Sequence, residues 1–419
     1  MTRTLCTRLS LAFLVILLAF GCGGEEPPAP EGAGEEAPAE AAPEEAAPEP
    51  EGAGEAAPER PAGEPSEAAR GIQVRIGAII PLTGLTPSYG EEAENAIDLA
   101  RQDALRRGEV APQIEIIDNG GTQQKTATAV NRLTDALKVD VIVGPLVSNN
   151  TIAAGELVEA AGVPLVSPSA TNEEVTRDKR YVFRTCFTDG FQGAAAADFA
   201  YDKLAARRAA VLVSSSQAYS MALGESFAEA FKRRGGEIVS HMSFTSDTDD
   251  FGGQISQLRL KRPDVIFLPA YYEAAAKCVS QARVAGLRAT FVGSDGWDSP
   301  RLYEISGGEV EDNYFTAHFS PQEDRAVVKR FVQNYSAKYD ERPGSIAALT
   351  YDATMLVLDA VKRAGSTERD AIRDALEATR DFEGVTGRFS IDENHNAVKR
   401  LVVLKTGKDA PTLEAIVTP

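Results

Sequence analysis

The sequence predicts an α/β fold with two doubly wound parallel-sheet lobes joined by a multi-strand hinge. From Gly71 onward, short β-branched runs alternate with segments whose apolar residues recur at helical spacing. Strand runs such as Val141-Ile142-Val143 show no polar alternation, which is typical of sheets buried on both faces. The alternation occurs twice in residues 71–419, and parallel neighbours need crossover connections. These observations together predict two doubly wound lobes.

The first series is predicted to contain five strands and three helices, the first helix carrying Ala93, Ala96 and Ile97 on one face. The predicted strands are Val74–Leu82, Gln113–Asp118, Val139–Val143, Pro164–Val166 and Tyr181–Cys186. The predicted helices are Glu91–Arg107, Thr122–Leu137 and Ser148–Ala161.

The second series has the same pattern. Its predicted strands are Ala209–Ser214, Glu237–Phe244, Asp264–Leu268, Thr290–Gly293 and Asn313–Phe319, with helices at Ala218–Arg234, Gln254–Lys261 and Tyr272–Ala285. Three further helices, near Arg325–Asp340, Ile346–Ala364 and Thr367–Ala378, precede a last β stretch at Val398–Lys405. With crossings near 188, 319 and 398, we expect one lobe from 71–188 and 320–398, and another from 189–319 and 399–419.

The acidity of the chain belongs mostly to one segment. The 419 residues carry a net charge of −19, but residues 23–70 hold fourteen Glu and two Arg, a net charge of −12. Residues 71–419 carry only −9. Nucleic acid is excluded as the main partner, because phosphate binding needs clustered Lys and Arg.

The amino terminus is predicted to be a lipoprotein signal peptide over residues 1–21. Arg3 and Arg8 precede the twelve-residue apolar run Leu9–Phe20, which is shorter than the roughly 20 residues that span a bilayer. A short uncleaved anchor is the alternative. Ala19-Phe20-Gly21-Cys22 resembles a bacterial lipobox, and this resemblance implies that Cys22 is lipidated and becomes the mature amino terminus.

Residues 22–70 are predicted to form a disordered linker rich in Glu, Ala, Pro and Gly. Residues 23–70 contain ten prolines and no aromatic or large aliphatic residue, so they bury too little apolar surface to offset the entropy of ordering. Their expected role is a spacer that lifts the body off a membrane.

Polar and aromatic residues follow several predicted strands, where ligands bind in open α/β sheets. Hydroxyl, tyrosine and carboxylate groups cluster there, together with the single tryptophan. Loops from the first series carry Tyr89, Leu146, Val147, Ser148, Ser169, Ala170 and Thr171, and loops from the second carry Tyr219, Tyr271, Asp295 and Trp297.

Each of these residues has a structural alternative. Ser148 is also suited to cap its helix, and Asp295 next to Gly296 is also typical of a turn. The tyrosines and Trp297 fit a packed core as well. Polar and aromatic groups at six equivalent strand ends are harder to explain by such separate roles.

In order and spacing, seven motifs resemble the branched-chain amino-acid binding proteins, the type I periplasmic receptors of ABC importers. They are IGAIIPLTG…YG, DVIVGPLVSNNT, GVPLVSPSATNEEVT, VFRT…D…QG, DVIFLPAYY, GLRATFVGSDGW and LTYDA, and the resemblance covers essentially all of residues 72–407.

The resemblance implies a zwitterionic ligand. Ser148 and Thr171 would hold its carboxylate beside Leu146 and Val147, at a helix N-terminus that favours an anion. The carbonyl of Ser169 and the carboxylate of Asp295 would take its ammonium group. Tyr89, Tyr219 and Tyr271 would line the pocket.

The sequence departs from the best-known members at several positions. Thr122 and Val147 stand where those members have a disulfide, and Asp295 stands where they have the longer Glu. Ile346 lies near a position where they carry an aromatic residue, whereas Trp297 adds bulk beside Asp295. These departures weaken any specific preference for leucine, isoleucine or valine.

We therefore predict a monomeric, lipid-anchored binding component of an ABC importer, which captures an amino acid and passes it to permease subunits. A sensory receptor of the same fold and a binder of an amide or urea-type solute are the alternatives. No HExxH, GxSxG or GxxxxGK[ST] motif occurs, so we expect no enzymatic activity, cofactor or metal. The histidines His241, His318 and His395 are predicted to lie on the surface, and pairing of Cys186 with Cys278 stays open.

Overall fold

The computed structural model describes residues 71–108 and 110–419. The predictions for the signal segment, for Cys22 and for the linker to residue 70 lie outside these residues. Within them, the predicted α/β class is confirmed, with two doubly wound sheets and one small additional sheet.

The first sheet is entirely parallel. Its strands are β1 (Ile72–Ile80), β2 (Val110–Asp118), β3 (Val141–Val143), β4 (Leu165–Ser167) and β5 (Val182–Arg184). Their order across the sheet is β2-β1-β3-β4-β5, and the pairing of β1 with β2 starts with Ile72 opposite Val110. All four strand pairs run parallel, as the crossover pattern predicts.

The second sheet combines parallel and antiparallel strands. Its strands are β6 (Arg208–Ser214), β7 (Glu237–Phe244), β8 (Val265–Leu268), β9 (Thr290–Gly293), β10 (Tyr314–Ala317), β14 (Leu401–Thr406) and β15 (Pro411–Val417). Their order is β15-β14-β10-β9-β8-β6-β7. The pairs that join β10 to β14 and β14 to β15 are antiparallel, because the returning chain adds these strands at one edge.

A third, antiparallel sheet lies between β10 and β14 of the second sheet in the sequence. It contains β11 (Phe382–Gly384), β12 (Gly387–Ile391) and β13 (Ala397–Val398). The chain therefore changes sheet after β5, after β10 and after β13.

Helices cover both faces of the two large sheets. They are α1 (Pro87–Arg107), α2 (Gln123–Asn131), α3 (Ser148–Ala161), α4 (Asp189–Asp202), α5 (Ala218–Arg233), α6 (Gly252–Lys261), α7 (Tyr272–Val284), α8 (Pro300–Ser306), α9 (Ala326–Tyr339), α10 (Ser345–Ala364) and α11 (Arg369–Glu377). On the first sheet, α10 covers one face, and α2 and α3 cover the other. On the second sheet, α4 and α5 lie opposite α6 and α7.

Several elements were not predicted. The sequence analysis missed α4, whose Ala-rich segment is buried on most sides and so has no single apolar face. It also missed the seven-residue α8, which is too short to show a helical period, and the strands β11, β12 and β15. The helix α1 begins at Pro87, a favoured first helical residue, so Tyr89 lies in its first turn and not in a loop.

The prediction of surface histidines is wrong for two of the three. His318 and His395 are buried, whereas His241 is exposed. The His395 ring stacks on Phe183 at 4.1 Å, and the His318 ring stacks on Phe187 at 3.7 Å. No helix in the described part of the chain is both long enough and apolar enough to cross a bilayer.

Cys186 and Cys278 are free thiols that are fully buried, and burial raises the pKa of each to about 12. Because the thiolate is the reactive form, we expect neither to react with dithionitrobenzoate at pH 8 in the folded protein comprising residues 71–419. Both should react once guanidinium unfolds it. Met221→Cys places a thiol at an exposed position and serves as the reactive control. Rapid reaction of the folded wild-type protein would contradict this expectation.

Candidate functional site

Asp295 lies at the centre of the candidate site, where it follows β9 and opens a 3-10 turn over Asp295–Trp297. Only 9% of the residue is exposed. Its Oδ1 accepts hydrogen bonds from Gln192 Nε2 at 2.8 Å and from the Tyr219 hydroxyl at 2.6 Å, and His318 Nε2 lies 3.1 Å from Oδ2. A buried carboxylate needs such partners, because desolvation without them costs several kcal/mol.

His318 supports the carboxylate as a neutral donor. Burial lowers the pKa of His318, and hydrogen bonding to Asp295 opposes this shift. The ring is therefore neutral at pH 7, and its Nε2–H tautomer is the one that donates to Asp295. The Nδ1 atom has no hydrogen-bond partner among the described residues.

Three predicted tyrosines meet beside Asp295. The rings of Tyr219 and Tyr271 stack in parallel with centroids 5.3 Å apart, and Tyr89 approaches Tyr271 edge-on at 6.1 Å. The Tyr89 hydroxyl donates to the carbonyl of Gly296 at 2.5 Å, and the Tyr219 hydroxyl accepts from the Gly296 N–H at 2.9 Å. Burial raises the pKa of all three phenols, so they remain protonated donors.

Of the two predicted hydroxyl groups, Ser148 lies at the start of α3 and Thr171 lies in the loop after β4. This helix begins at Ser148, so Val147 occupies the N-cap position and the capping interpretation of Ser148 is wrong. The Ser148 hydroxyl instead accepts from the N–H of Asn172 at 3.3 Å. The Thr171 hydroxyl is fully buried and has no hydrogen-bond partner within the described residues, which leaves it available to a ligand.

Asp189 lies next to Thr171 and was not predicted as a site residue. Its main-chain N–H donates to the carbonyl of Thr171 at 3.0 Å, yet both its carboxylate oxygens lack partners among the described residues. Burial raises its pKa well above the ordinary range, the nearby Thr171 hydroxyl and the charge of Arg184 oppose this shift, and the charges of Glu173 and Asp295 add to it. The site therefore holds two carboxyl groups where one was expected.

Three missed residues, Asp189, Gln192 and His318, come after strands, as the predicted ones do. Asp189 and Gln192 lie one turn apart at the start of α4, which comes shortly after β5, and His318 directly follows β10. Extending the search for polar residues to the ends of these two strands would have found all three.

The remaining predicted residues support the loops. The Ser169 hydroxyl donates to the carbonyl of Leu146 at 2.8 Å, and the carbonyl of Ala170 accepts from Arg184 Nη1 at 3.0 Å. Leu146, Val147 and Ala170 are buried beside them. Trp297 is fully buried in the core, where its indole N–H donates to the carbonyl of Leu268 at 3.0 Å. Trp297 therefore supports the Asp295 turn from the side of the hydrophobic core.

Hydrogen bonds connect the loops of the two sheets on either side of the cleft. The Asn149 side chain donates to the carbonyl of Ser216 at 2.9 Å and accepts from the N–H of Ala218 at 2.9 Å. The Asn172 side chain donates to the carbonyl of Ala218 at 3.1 Å. Both asparagines follow strands of the first sheet, so the two halves meet through polar contacts at the cleft.

A cavity of about 240 Å³ adjoins the tyrosine stack, with Leu85, Tyr219 and Tyr271 among its lining residues. A larger cavity of about 540 Å³ lies between α1, α9 and α10 and contains none of the predicted site residues. Within residues 71–108 and 110–419, no three His, Cys, Asp or Glu side chains are grouped so that they would hold a metal ion.

Comparisons with known proteins agree with this architecture. The profile of the family described as periplasmic binding protein matches residues 73–411. The leucine-specific-binding protein of Salmonella typhimurium is 26% identical over 306 residues, which cover 72% of this chain and 82% of that protein.

Two solved structures are similar in sequence and in fold. The leucine binding protein LivK of Thermotoga maritima is 36% identical with a TM-score of 0.79, over 83% of this chain and 99% of that one. The branched-chain amino acid substrate binding protein LivJ of Streptococcus pneumoniae, in complex with isoleucine, is 32% identical with a TM-score of 0.77, over the same shares of the two chains.

Gly293 gives a test of how Trp297 supports the Asp295 turn. A Cβ at this position would lie 2.3 Å from ring atoms of Trp297, so Gly293→Ala should displace the indole and lower the free energy of unfolding by about 1–3 kcal/mol. Urea unfolding followed by the fluorescence of Trp297, the single tryptophan, measures the loss. Gly253→Ala in α6 is the control, because a Cβ there meets nothing within 4 Å. Equal stability of the two variants would refute the supporting role.

Proposed function

Because this chain belongs to the periplasmic binding protein family, the solute-binding components of ABC importers, we propose that its cleft captures a small amino acid. The observation that carries this proposal is the buried Asp295 carboxylate among tyrosines, together with the unpartnered Thr171 hydroxyl in the loop after β4, whose next residue bonds to Ser148 at the start of α3. A carboxylate on one side and a helix N-terminus on the other suit a zwitterion.

In this proposal the ligand carboxylate lies at the N-terminus of α3, where it accepts hydrogen bonds from Ser148, Thr171 and main-chain N–H groups. Its ammonium group pairs with Asp295 and donates to the carbonyl of Ser169. Asp189 lies beside Thr171 with both its oxygens unpartnered among the described residues, and its raised pKa favours the neutral carboxyl group, so it adds a polar group and not a second charge.

The ligand side chain then lies among Tyr89, Tyr219 and Tyr271, beside Leu146 and Val147. These groups form an aromatic and aliphatic surface, which favours a branched-chain, other aliphatic or aromatic amino acid. LivJ holds isoleucine in its solved structure, and the Salmonella relative is named for leucine. Capture and release involve no catalytic step, because they need only hydrogen bonds and a movement of two lobes.

The movement divides the chain at residues 188, 319 and 398. One lobe comprises 71–188 and 320–398, and the other comprises 189–319 and 399–419. This division is supported by sheet membership, which changes after β5, after β10 and after β13. A ligand that contacts both lobes stabilises the closed form in proportion to its preference for that form. A monomer is sufficient for this action, and permease subunits are the partners.

Asp295→Asn tests the pairing with the ammonium group. The substitution keeps the size of the side chain but removes its charge, and a hydrogen bond to a charged group contributes about 1.5–3 kcal/mol. We expect the affinity for L-leucine, L-isoleucine or L-valine, measured by calorimetry, to fall roughly 10- to 100-fold. Asp324→Asn, at an exposed ion pair with Lys329, should leave the affinity unchanged.

Two results would count against the proposal. Unchanged affinity in Asp295→Asn would remove the role of Asp295 as the ammonium partner. A thermal-shift screen in which amides or sugars, and no amino acid, raise the melting temperature would exclude the amino-acid assignment. A ligand at a hundredfold excess over its Kd adds about 2.7 kcal/mol of stability, which such a screen detects.

Cys22 is proposed as the lipid attachment site that holds the protein at the outer side of a cell membrane. Cys22→Ser should prevent incorporation of radiolabelled palmitate and release the protein into the soluble fraction of the cell envelope. Cys6→Ser, a thiol inside the proposed signal segment, is the matched control and should leave both unchanged. Retention of labelled, membrane-bound Cys22→Ser protein would contradict the proposal.

A further inference from the structure

Two carboxyl groups from opposite sides of the cleft meet at the N-terminus of α10. Asp298, in the loop that follows β9, accepts a hydrogen bond from the N–H of Ser345 at 2.9 Å. Glu92, on α1, accepts from the N–H of Ala347 at 3.3 Å. Both acceptors satisfy N–H groups that the 20-residue α10 leaves free at its first turn.

The two carboxyl groups belong to different halves of the molecule. The helix α10 packs on the first sheet and α1 packs on α10, so Glu92 stays at this N-terminus when the halves separate. Asp298 follows a strand of the second sheet and lies three residues after Asp295. A movement that separates the halves would therefore break its hydrogen bond to Ser345.

Neighbouring contacts show that this junction is closely packed. The hydroxyls of Ser88 and Ser299 lie 2.9 Å apart across the cleft, and the Ser345 hydroxyl accepts from the N–H of His318 at 3.2 Å. A Cβ at Gly344 would lie 2.7 Å from Glu92 Oε2, so the glycine allows the carboxyl group to approach the helix end.

We propose that Asp298 is a closure latch, which joins the halves by capping α10 across the cleft, and that a negative charge on Glu92 opposes the latch. The capping hydrogen bond and the positive end of the helix dipole favour closure. Repulsion between two carboxylates at one helix end disfavours it. The latch rests on the proposed function, because it acts on the same lobe movement that captures the amino acid.

Glu92 opposes closure only when its carboxyl group is ionised, so the effect depends on the pKa of this group. Burial, and then the charge of Asp298, raise the pKa of Glu92 from an ordinary value near 4.5 to about 8. Its Oε1 is buried without a hydrogen-bond partner among the described residues, which suits a protonated carboxyl group. The titratable groups that face the pair from the surrounding elements are Tyr89, Asp295, Tyr303, Tyr335, Glu341 and Arg342.

The direction of the pH effect follows from this shift. Closure brings Asp298 to Glu92 and raises the pKa of Glu92, so the closed form retains a proton that the open form releases more readily. Closure is therefore fully favoured below the pKa of Glu92 in the open form, and this advantage is lost as pH rises through about 8. Between these two pKa values, affinity for a ligand of the closed form falls by as much as tenfold per pH unit, and above the higher one it no longer depends on the titration of Glu92.

Hydrogen exchange followed by mass spectrometry tests the latch in the full chain without added ligand. The readout is the amide of Ala218, which donates to Asn149 at a separate contact across the cleft. Asp298→Ala should raise exchange at Ala218 as well as at Ser345, whereas loss of a local cap would affect Ser345 alone. Asp324→Ala, at an exposed site, is the control and should change neither amide.

Glu92→Gln tests the charge. At pH 9 it should show slower exchange at Ala218 than the wild type at pH 9, and this difference should be smaller at pH 7. Glu94→Gln, an exposed neighbour on α1, should behave as the wild type at both pH values. Exchange at Ala218 that is the same in the wild type, Asp298→Ala and Glu92→Gln would overturn the latch.

Calorimetry with L-leucine at pH 7 and pH 9 separates the latch from the proposed function. The wild type should lose affinity relative to Glu92→Gln at pH 9, and this ratio cancels titration of the leucine ammonium group. If L-leucine, L-isoleucine and L-valine give no binding heat while Ala218 exchange responds to Asp298→Ala, the latch stands and the branched-chain ligand assignment fails. If L-leucine binds and the ratio is constant with pH, the role of Glu92 is refuted.

Discussion

The burial of the Asp295 carboxylate is the constraint on which the rest of the site depends. A charge removed from water needs hydrogen-bond donors, and Gln192, Tyr219 and His318 supply them. These donors come from α4, α5 and the segment after β10, so several elements of the second half must be assembled before the site exists. Trp297 holds the turn from behind.

The same physics supports the proposal of a ligand that carries both charges. Asp189 is fully buried and its carboxyl oxygens have no protein partner within the described residues, while the Thr171 hydroxyl beside it is also unpartnered. Buried polar groups without partners are costly, and a bound ammonium and carboxylate would satisfy them. The −9 net charge of residues 71–419 contributes little to this, because two carboxyl groups provide the local acceptors.

The sequence predicted those parts of the fold and site that depend on local pattern. The start of α3 at Ser148 and the strands Glu237–Phe244 and Thr290–Gly293 match the prediction, because apolar periodicity and turn residues mark them. The helix α4 was missed because burial on most of its sides removes an amphipathic period. His318 was misjudged because its burial depends on Asp295 and Phe187, both distant in sequence.

The two halves meet through apolar contacts, such as that of Tyr89 with Tyr271 and Tyr272, and through polar ones at Asn149, Asn172, Ser88 and Asp298. The polar part of this junction suits a cleft that must reopen. Each opening would expose an apolar surface of similar size to water, which costs a free energy of about 25 cal/mol for every Å². When the cleft opens, hydrogen-bonding groups exchange their protein partners for water. Each hydrogen bond therefore contributes only about 0.5–1.5 kcal/mol to the free energy of closure. A few such contacts leave closure close to balance, and the interactions of one small ligand then suffice to decide it.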